Sequence, residues 1–158
     1  MAASANSAVL DADNRMLVIE RIFDAPRELV FAAWTDPKRG LGWMGPRHCP
    51  AFHVEGTAKA GSKWRLGLRE VADGRELWQG GIYREVSPPE RLVFSMAWDQ
   101  EDGSPGPETT ITLTFEDVGG KTRMIFQQGA FDTVSNRNGH REGWNSAFDR
   151  LESLLTTA

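Results

Sequence analysis

The spacing of apolar residues changes along this chain, and that change limits the folds open to it. From residue 52 to residue 129, apolar and polar residues alternate with a period of two, which is typical of half-buried β-strands. After residue 131 the apolar residues recur at steps of three and four, as in an amphipathic helix. A run of strands followed by one long helix predicts an α+β domain whose antiparallel sheet packs one face against that helix.

Turn signals divide the alternating region into six antiparallel strands. The predicted strands span residues 52–55, 62–71, 76–86, 91–99, 108–116 and 122–129. Upstream, residues 17–23 alternate and predict a further strand. Pro26 and Asp36 mark the starts of two short helices, the second ending near Trp43. The predicted order is therefore strand, two helices, six strands and one long C-terminal helix.

Length, cysteine content and charge limit the domain organisation, the compartment and the partners that the sequence predicts. Residues 1–14 lack periodicity and predict a flexible leader, followed by a single domain over residues 15–158. The single cysteine, Cys49, excludes an intrachain disulfide, which favours the cytoplasm. No signal peptide or membrane span is apparent, so we expect no membrane association. A net charge of -4, from 18 basic and 22 acidic residues, argues against nucleic acid as a partner.

Three motifs, in this order and spacing, carry a family resemblance. They are RIFDAPRELVFAAWTDPKRGLGWMGP (21–46), GGIYREVSPPERLVFSMAW (80–98) and HREGWNSAFDRLESL (140–154). The chain resembles the activator of 90-kDa heat-shock protein ATPase homologue-like family, within the SRPBCC (START-like) helix-grip superfamily, over residues 17 to about 155. The resemblance implies a sheet curled around the C-terminal helix, with a cavity between them that often holds an apolar molecule. It does not fix the chemistry, because the superfamily spans carriers, receptors, cyclases and chaperone activators.

Bulky side chains on the predicted inner faces give the candidate site. Six tryptophans stand against one tyrosine, a composition that suits either a filled core or the wall of a ligand cavity. The candidate ligand-binding residues are Trp64, Leu66, Phe94, Met96, Trp98, Leu113, Met124, Phe126, Gln128, Trp144 and Phe148. The amide of Gln128 needs a hydrogen-bond partner, which a ligand or a trapped water could supply. Trp34, Trp43 and Trp78 either line the mouth of the cavity or fasten the short helices.

Other patterns favour structural interpretations over catalytic or metal sites. The segment GLGWMG at 40–45 has the spacing of a dinucleotide loop but follows a helix instead of a strand. His48, Cys49 and His53 supply at most three metal ligands. The carboxylates at 99–102 fall on a predicted hairpin tip, where they stay solvated. We therefore assign no catalytic residue and expect neither a metal nor a cofactor.

Basic residues in the first half of the final helix and acidic residues in its second half oppose the helix dipole. Arg137, His140 and Arg141 form the basic group, while Asp149 and Glu152 form the acidic one. A solvated face paired with nearby acids is favoured over a functional basic patch.

Three functions stay in contention. The leading hypothesis is non-catalytic binding of a small, largely apolar molecule between the sheet and the C-terminal helix. The alternative is a protein-binding module acting on a heat-shock ATPase, with which the excess of 14 arginines over four lysines is compatible. The third is a cyclase- or hydrolase-like enzyme, for which Arg21 and His140 are the nearest inward titratable candidates. The protein could be a monomer or a homodimer.

Overall fold

A computed structural model describes residues 15–157 of the chain, so the predicted leader over residues 1–14 lies outside the described residues. The elements, in chain order, are β1 (Leu17–Phe23), α1 (Arg27–Thr35), α2 (Pro37–Gly40), β2 (Ala51–Gly56), β3 (Lys63–Arg69), β4 (Glu76–Ser87), β5 (Arg91–Trp98), β6 (Thr109–Val118), β7 (Lys121–Gly129) and α3 (Val134–Thr157). The predicted order of strands and helices is confirmed, and no predicted strand boundary is wrong by more than two residues.

The strands form one antiparallel sheet in the order β1-β7-β6-β5-β4-β3-β2. Strands β2 to β7 follow one another as hairpins, each pairing with the next. Strand β1 pairs with β7 and forms the edge of the sheet opposite β2. The sheet curves around α3, which is the helix-grip α+β fold expected from the sequence. None of the helices within residues 15–157 is both long enough and apolar enough to cross a membrane.

Local sequence explains where the short helices begin. Helix α1 starts directly after Pro26, and Glu28 lies in its first turn, where a carboxylate complements the helix dipole. Helix α2 starts after Asp36, whose side chain accepts a hydrogen bond from the Lys38 backbone N–H at 3.0 Å. Helix α1 packs on β6 and β7, whereas α2 contacts β2 at the opposite edge of the sheet.

The half of the core beneath α1 and the second half of α3 is filled. Trp34 on α1 lies at its centre, with its ring centroid 6.4 Å from Phe126 on β7 and 6.0 Å from Phe148 on α3. Trp43 packs edge-on against Trp34 at 4.7 Å and donates its indole N–H to the Ala33 carbonyl at 2.9 Å. Trp43 is 0% exposed and therefore fastens the short helices.

Candidate functional site

The other half of the interior is hollow. A cavity of about 900 Å³ lies between strands β2–β5, the connection before β2 and the first half of α3. Its volume falls in the ~300–1,000 Å³ range of small-molecule sites. Aliphatic side chains from the edge of the sheet contribute much of its wall: Val54, Leu66, Leu68 and Leu77.

Small residues on α3 explain why this half stays open. Gly139, Gly143 and Ala147 recur at steps of four, so they share one face of the helix, and all three line the cavity. A Cβ added to Gly139 or Gly143 would meet no heavy atom within 4 Å. The cavity therefore exists because the first half of α3 has glycine and alanine on its inward face, whereas the second half has large side chains there. Sequence analysis missed this pair of glycines, although their spacing inside a helix was the signal.

Six of the predicted ligand-binding residues line the cavity: Trp64, Leu66, Phe94, Met96, Trp98 and Trp144. The other five lie in the filled half of the core, each 0% exposed: Leu113, Met124, Phe126, Gln128 and Phe148. The reason is that β6 and β7 contact α1, and Phe126 on β7 packs against Phe148 in the second half of α3, whereas residues of β2–β5 line the cavity together with the glycines of α3. These five are therefore corrected from cavity wall to core.

The buried Gln128 amide has protein partners, in place of the ligand or water considered from the sequence. Its Oε1 accepts the indole N–H of Trp144 at 2.8 Å, and its Nε2 donates to the Thr109 hydroxyl at 3.0 Å. The Met96 sulfur lies 3.4 Å from the same Nε2. This network fixes the Trp144 ring that separates the cavity from the filled core.

The indole groups of the cavity wall are held in different ways. Trp64 donates to the Ser95 carbonyl at 3.1 Å, and Trp98 donates to His140 Nε2 at 3.1 Å. Trp34 lines the cavity as well, but its buried N–H has no hydrogen-bond partner within residues 15–157. An unpaired buried donor costs ~1–3 kcal/mol, so an acceptor that reaches Trp34 gains from pairing with it.

Two polar residues in the wall were missed by sequence analysis. Gln79 is 4% exposed and lies opposite Leu66 on β3 and Trp98 on β5, so its side chain shares their inward face. Tyr83, four residues further along β4, lies opposite Phe94 on β5. Burial raises the pKa of its phenol. In the described part of the chain neither side chain forms a hydrogen bond. The signal was their spacing: Gln79, Gly81 and Tyr83 lie two residues apart along β4 and therefore share one face.

Titratable groups also line the cavity, which the sequence analysis did not expect beyond His140. Glu55, Glu70 and Glu142 lie in its wall together with His48. His140 Nδ1 lies 2.8 Å from the Asn136 carbonyl, which can only accept, so Nδ1 carries the proton and Nε2 accepts from Trp98. With both ring nitrogens engaged, His140 holds the N-terminal half of α3 to β5.

The cluster of His48, Cys49 and His53 does not assemble into a metal site. Among the residues that the structure describes, no group of three metal-binding side chains comes together. His53 instead contacts Glu55, with 2.7 Å between Nε2 and Oε1. Cys49 is buried in the cavity wall, and burial, reinforced by the charge of Glu70, raises the pKa of its thiol.

The remaining sequence candidates have structural roles. The segment 40–45 directs carbonyls at a guanidinium: Arg150 Nη1 donates to the carbonyls of Met44 at 2.9 Å and Gly45 at 2.8 Å. Such a carbonyl cluster is the opposite of a phosphate-binding loop. Trp78 packs against Phe52 with 5.3 Å between centroids and does not line the cavity.

Ion pairs hold the acidic residues of α3 and Asp99, which the sequence analysis had considered. Arg21 pairs with Asp149 at 2.8 Å and with Glu152 at 3.7 Å, so it anchors the acidic half of α3. Asp99 pairs with Arg65 through two hydrogen bonds of 2.9 and 2.6 Å, and the guanidinium holds the pKa of that carboxyl below its ordinary value.

Solved structures share this architecture. The AHSA1 protein from Silicibacter pomeroyi has a TM-score of 0.80 at 25% identity, covering 90% of this chain and 98% of that chain. A protein from Arthrobacter aurescens has a TM-score of 0.82 at 24% identity, with 95% and 91% covered. A protein from Chromobacterium violaceum has a TM-score of 0.79 at 21% identity, with 89% and 96% covered. The last two likenesses show the fold alone. No curated protein matches the chain by sequence.

The family comparison covers most of the chain. The family described as "Activator of Hsp90 ATPase homolog 1-like protein" matches residues 24–156, which include α1, α2, all strands but β1, and α3 except its last residue. Proteins with this SRPBCC-type fold commonly bind small molecules or other proteins. The chain therefore belongs to the activator of Hsp90 ATPase homologue 1-like family.

Proposed function

We propose that this protein binds a small, largely apolar molecule in the cavity between strands β2–β5 and the first half of α3. The observation that carries the proposal is a ligand-sized hollow of about 900 Å³ whose aromatic and aliphatic wall contains a buried, unpartnered amide, that of Gln79. Apolar wall with a few inward polar groups is the usual composition of a small-molecule site.

The energetics of such binding are favourable. Burying ~200 Å² of apolar ligand surface at ~25 cal/mol per Å² contributes about 5 kcal/mol before the costs of association. A hydrogen bond to the Gln79 amide, or to the unpaired Trp34 N–H, orients the ligand in the cavity. It also removes the free-energy cost of leaving that group without a partner.

Filling the cavity from the helix side tests the proposal. In Gly143→Leu, the new side chain enters open space, and replacing glycine inside a helix stabilises it by ~0.5–1 kcal/mol. Gly143→Ala is the matched control, because it gains similar helix propensity but leaves most of the volume empty. Isothermal titration calorimetry with 2-naphthalenemethanol measures binding to each protein, and thermal unfolding measures stability.

The expected result is that Gly143→Leu keeps or raises the unfolding temperature yet binds at least ~tenfold more weakly, while Gly143→Ala binds within a few-fold of the original chain. Native mass spectrometry and solvent extraction of freshly purified protein then identify a molecule carried from the cell. An original chain that binds neither the naphthyl alcohol nor any co-purifying molecule would overturn the proposal, as would undiminished binding by Gly143→Leu.

A second candidate function is the one that the family description names, activation of the Hsp90 ATPase. Two large apolar side chains on the edge strand β1 are half-exposed, Val18 at 51% and Ile22 at 54%, and alternate residues of a strand lie on the same face. Stimulation of Hsp90 ATP hydrolysis that Val18→Lys abolishes would support this function. Equal ATPase rates with and without the protein would exclude it.

A further inference from the structure

Apart from two histidines, the ionisable side chains with ordinary charge at neutral pH that line the cavity are all acidic. None of the 14 arginines and four lysines, all of which lie within residues 15–157, contributes to the cavity wall. The wall does include three glutamates: Glu55, Glu70 and Glu142. In a chain with this many arginines, a site for a carboxylate or a phosphate would be expected to recruit one of them.

The negative charge reaches the interior of the wall. Glu70 raises the pKa of the buried Cys49 thiol, second only to burial, and the opposing effect of Arg75 is smaller. The side-chain carboxylates of Glu70 and Glu142 have no hydrogen-bond or ion-pair partner in the described part of the chain, whereas that of Glu55 contacts His53. Two of the three carboxylates are thus free to interact with a ligand.

The inner wall is suited to the same charge. Ring faces of tryptophan and phenylalanine attract cations, and Trp34, Trp64, Phe94, Trp98 and Trp144 all contribute to the cavity. Gln79, whose amide has no hydrogen-bond partner among the described residues, is 4% exposed as a residue, lines the cavity and shares the inward face with Leu66 and Trp98. Its carbonyl oxygen can accept an N–H group of a ligand inside the aromatic wall.

Resting on the cavity function proposed above, we infer that the ligand is an apolar amine that binds as a cation. Its hydrocarbon or aromatic body occupies the hollow beneath α3, and its ammonium group lies within reach of the glutamates and the Gln79 carbonyl. Apolar carboxylates such as fatty acids are rejected, because the cavity wall offers an anion three glutamates and no arginine or lysine.

Three probes of one shape test the inference: 2-naphthylmethylamine, 2-naphthalenemethanol and 2-naphthoic acid, which at neutral pH are a cation, a neutral molecule and an anion. Calorimetry at low ionic strength is expected to give the order amine, alcohol, acid, with the amine at least ~tenfold tighter than the acid. Added salt should narrow this ratio, since exposed charges are screened.

Variants assign the preference to the glutamates. Glu70→Gln/Glu142→Gln should lower the ratio of amine to acid affinity by at least ~threefold and leave alcohol binding unchanged. Glu116→Gln is the matched control, because Glu116 is bonded to Arg123 at 3.2 Å and does not line the cavity. It should leave all three affinities as they are. Gln79→Leu should weaken the amine and the alcohol together.

The outcomes separate the two proposals. Failure of all three probes to bind, in a chain that also carries no co-purifying molecule, would overturn the cavity function and this inference with it. Binding of the alcohol together with an acid affinity equal to or above that of the amine would overturn the amine inference alone. An unchanged ratio in Glu70→Gln/Glu142→Gln would also overturn it.

Discussion

The bond between Gln128 and Trp144 joins the filled core to the cavity wall, and breaking it should lower stability by an amount that the structure sets. Gln128→Met keeps much of the side-chain volume but removes the oxygen that accepts the Trp144 indole N–H at 2.8 Å. It also removes the donor to the Thr109 hydroxyl at 3.0 Å. Leaving the indole N–H without an acceptor costs ~1–3 kcal/mol, so we expect a loss of about 2 kcal/mol.

The assay is thermal and urea unfolding of the original chain, Gln128→Met, Trp144→Phe and the double variant. A loss of about 2 kcal/mol corresponds to a fall of roughly 4–8 °C in the unfolding temperature for a chain of this length. Both single changes remove the same bond, so the double variant should cost at least ~1 kcal/mol less than the sum of the singles.

Two results would refute this reasoning. An unfolding temperature of Gln128→Met within a degree of the original would mean that the amide contributes no net stability. Strictly additive losses in the double variant would mean that the two side chains do not stabilise one another. Retention of naphthyl alcohol binding by Gln128→Met is expected as well, because Gln128 lies outside the cavity wall.

Three further changes test other parts of the structure. Gly81→Ala would place a Cβ within bonding distance of the Ser95 carbonyl on the neighbouring strand, so we expect a loss above ~3 kcal/mol or no folded protein, measured by circular dichroism and urea unfolding; a cooperative transition at the original urea midpoint would contradict the close approach. Asp99→Asn removes the ion pair with Arg65, which stabilises the fold only while the carboxyl is ionised. Because its pKa is lowered in the folded state, that contribution is complete above the unfolded value near ~3.9 and is lost as the pH falls through the folded value. Both partners are partly exposed, so the unfolding free energies of the two proteins should differ by ~0.5–1 kcal/mol at neutral pH and converge below about pH 4, and a gap independent of pH would refute the assignment. The buried Cys49 thiol, with its raised pKa, should react with iodoacetamide far more slowly than free cysteine at neutral pH, and more slowly still with the cavity occupied; labelling at the free-cysteine rate, followed by mass spectrometry, would contradict its burial.

The fold was predictable because its signals are local and repeated. Alternation over residues 52–129 and the helical spacing of Trp144, Phe148 and Leu151 each depend on the burial of one face, and the structure buries those faces. The turn signals predicted the strand boundaries because four of the five hairpins turn at a glycine with positive φ, such as Gly74 or Gly119, and the fifth turns at Pro88-Pro89.

The site was predictable only in part, because alternation tells which face is inward but not what lies across from it. Leu113 and Leu66 look alike in sequence, yet the first meets the bulky half of α3 and the second meets its glycines. Gln79 was missed for a related reason: it is polar, and only its pairing with Leu66 and Trp98 places it on the inward face.

Helix α3 divides its two tasks along its length. Its second half is fixed by large buried side chains and by Arg150, whose guanidinium binds three successive carbonyls of residues 43–45. Its first half carries Gly139 and Gly143, each of which costs about 0.8–1 kcal/mol of helix stability relative to alanine.

The fold tolerates that cost because the second half and the His140–Trp98 bond hold the helix in place. A chain selected for stability alone would fill this space, since leucine at either glycine raises helix propensity and meets open volume. The glycines that keep the cavity open therefore lower the stability of the fold. Related proteins that bind a molecule in this cavity should have small residues at the positions of Gly139 and Gly143, even where other wall residues differ.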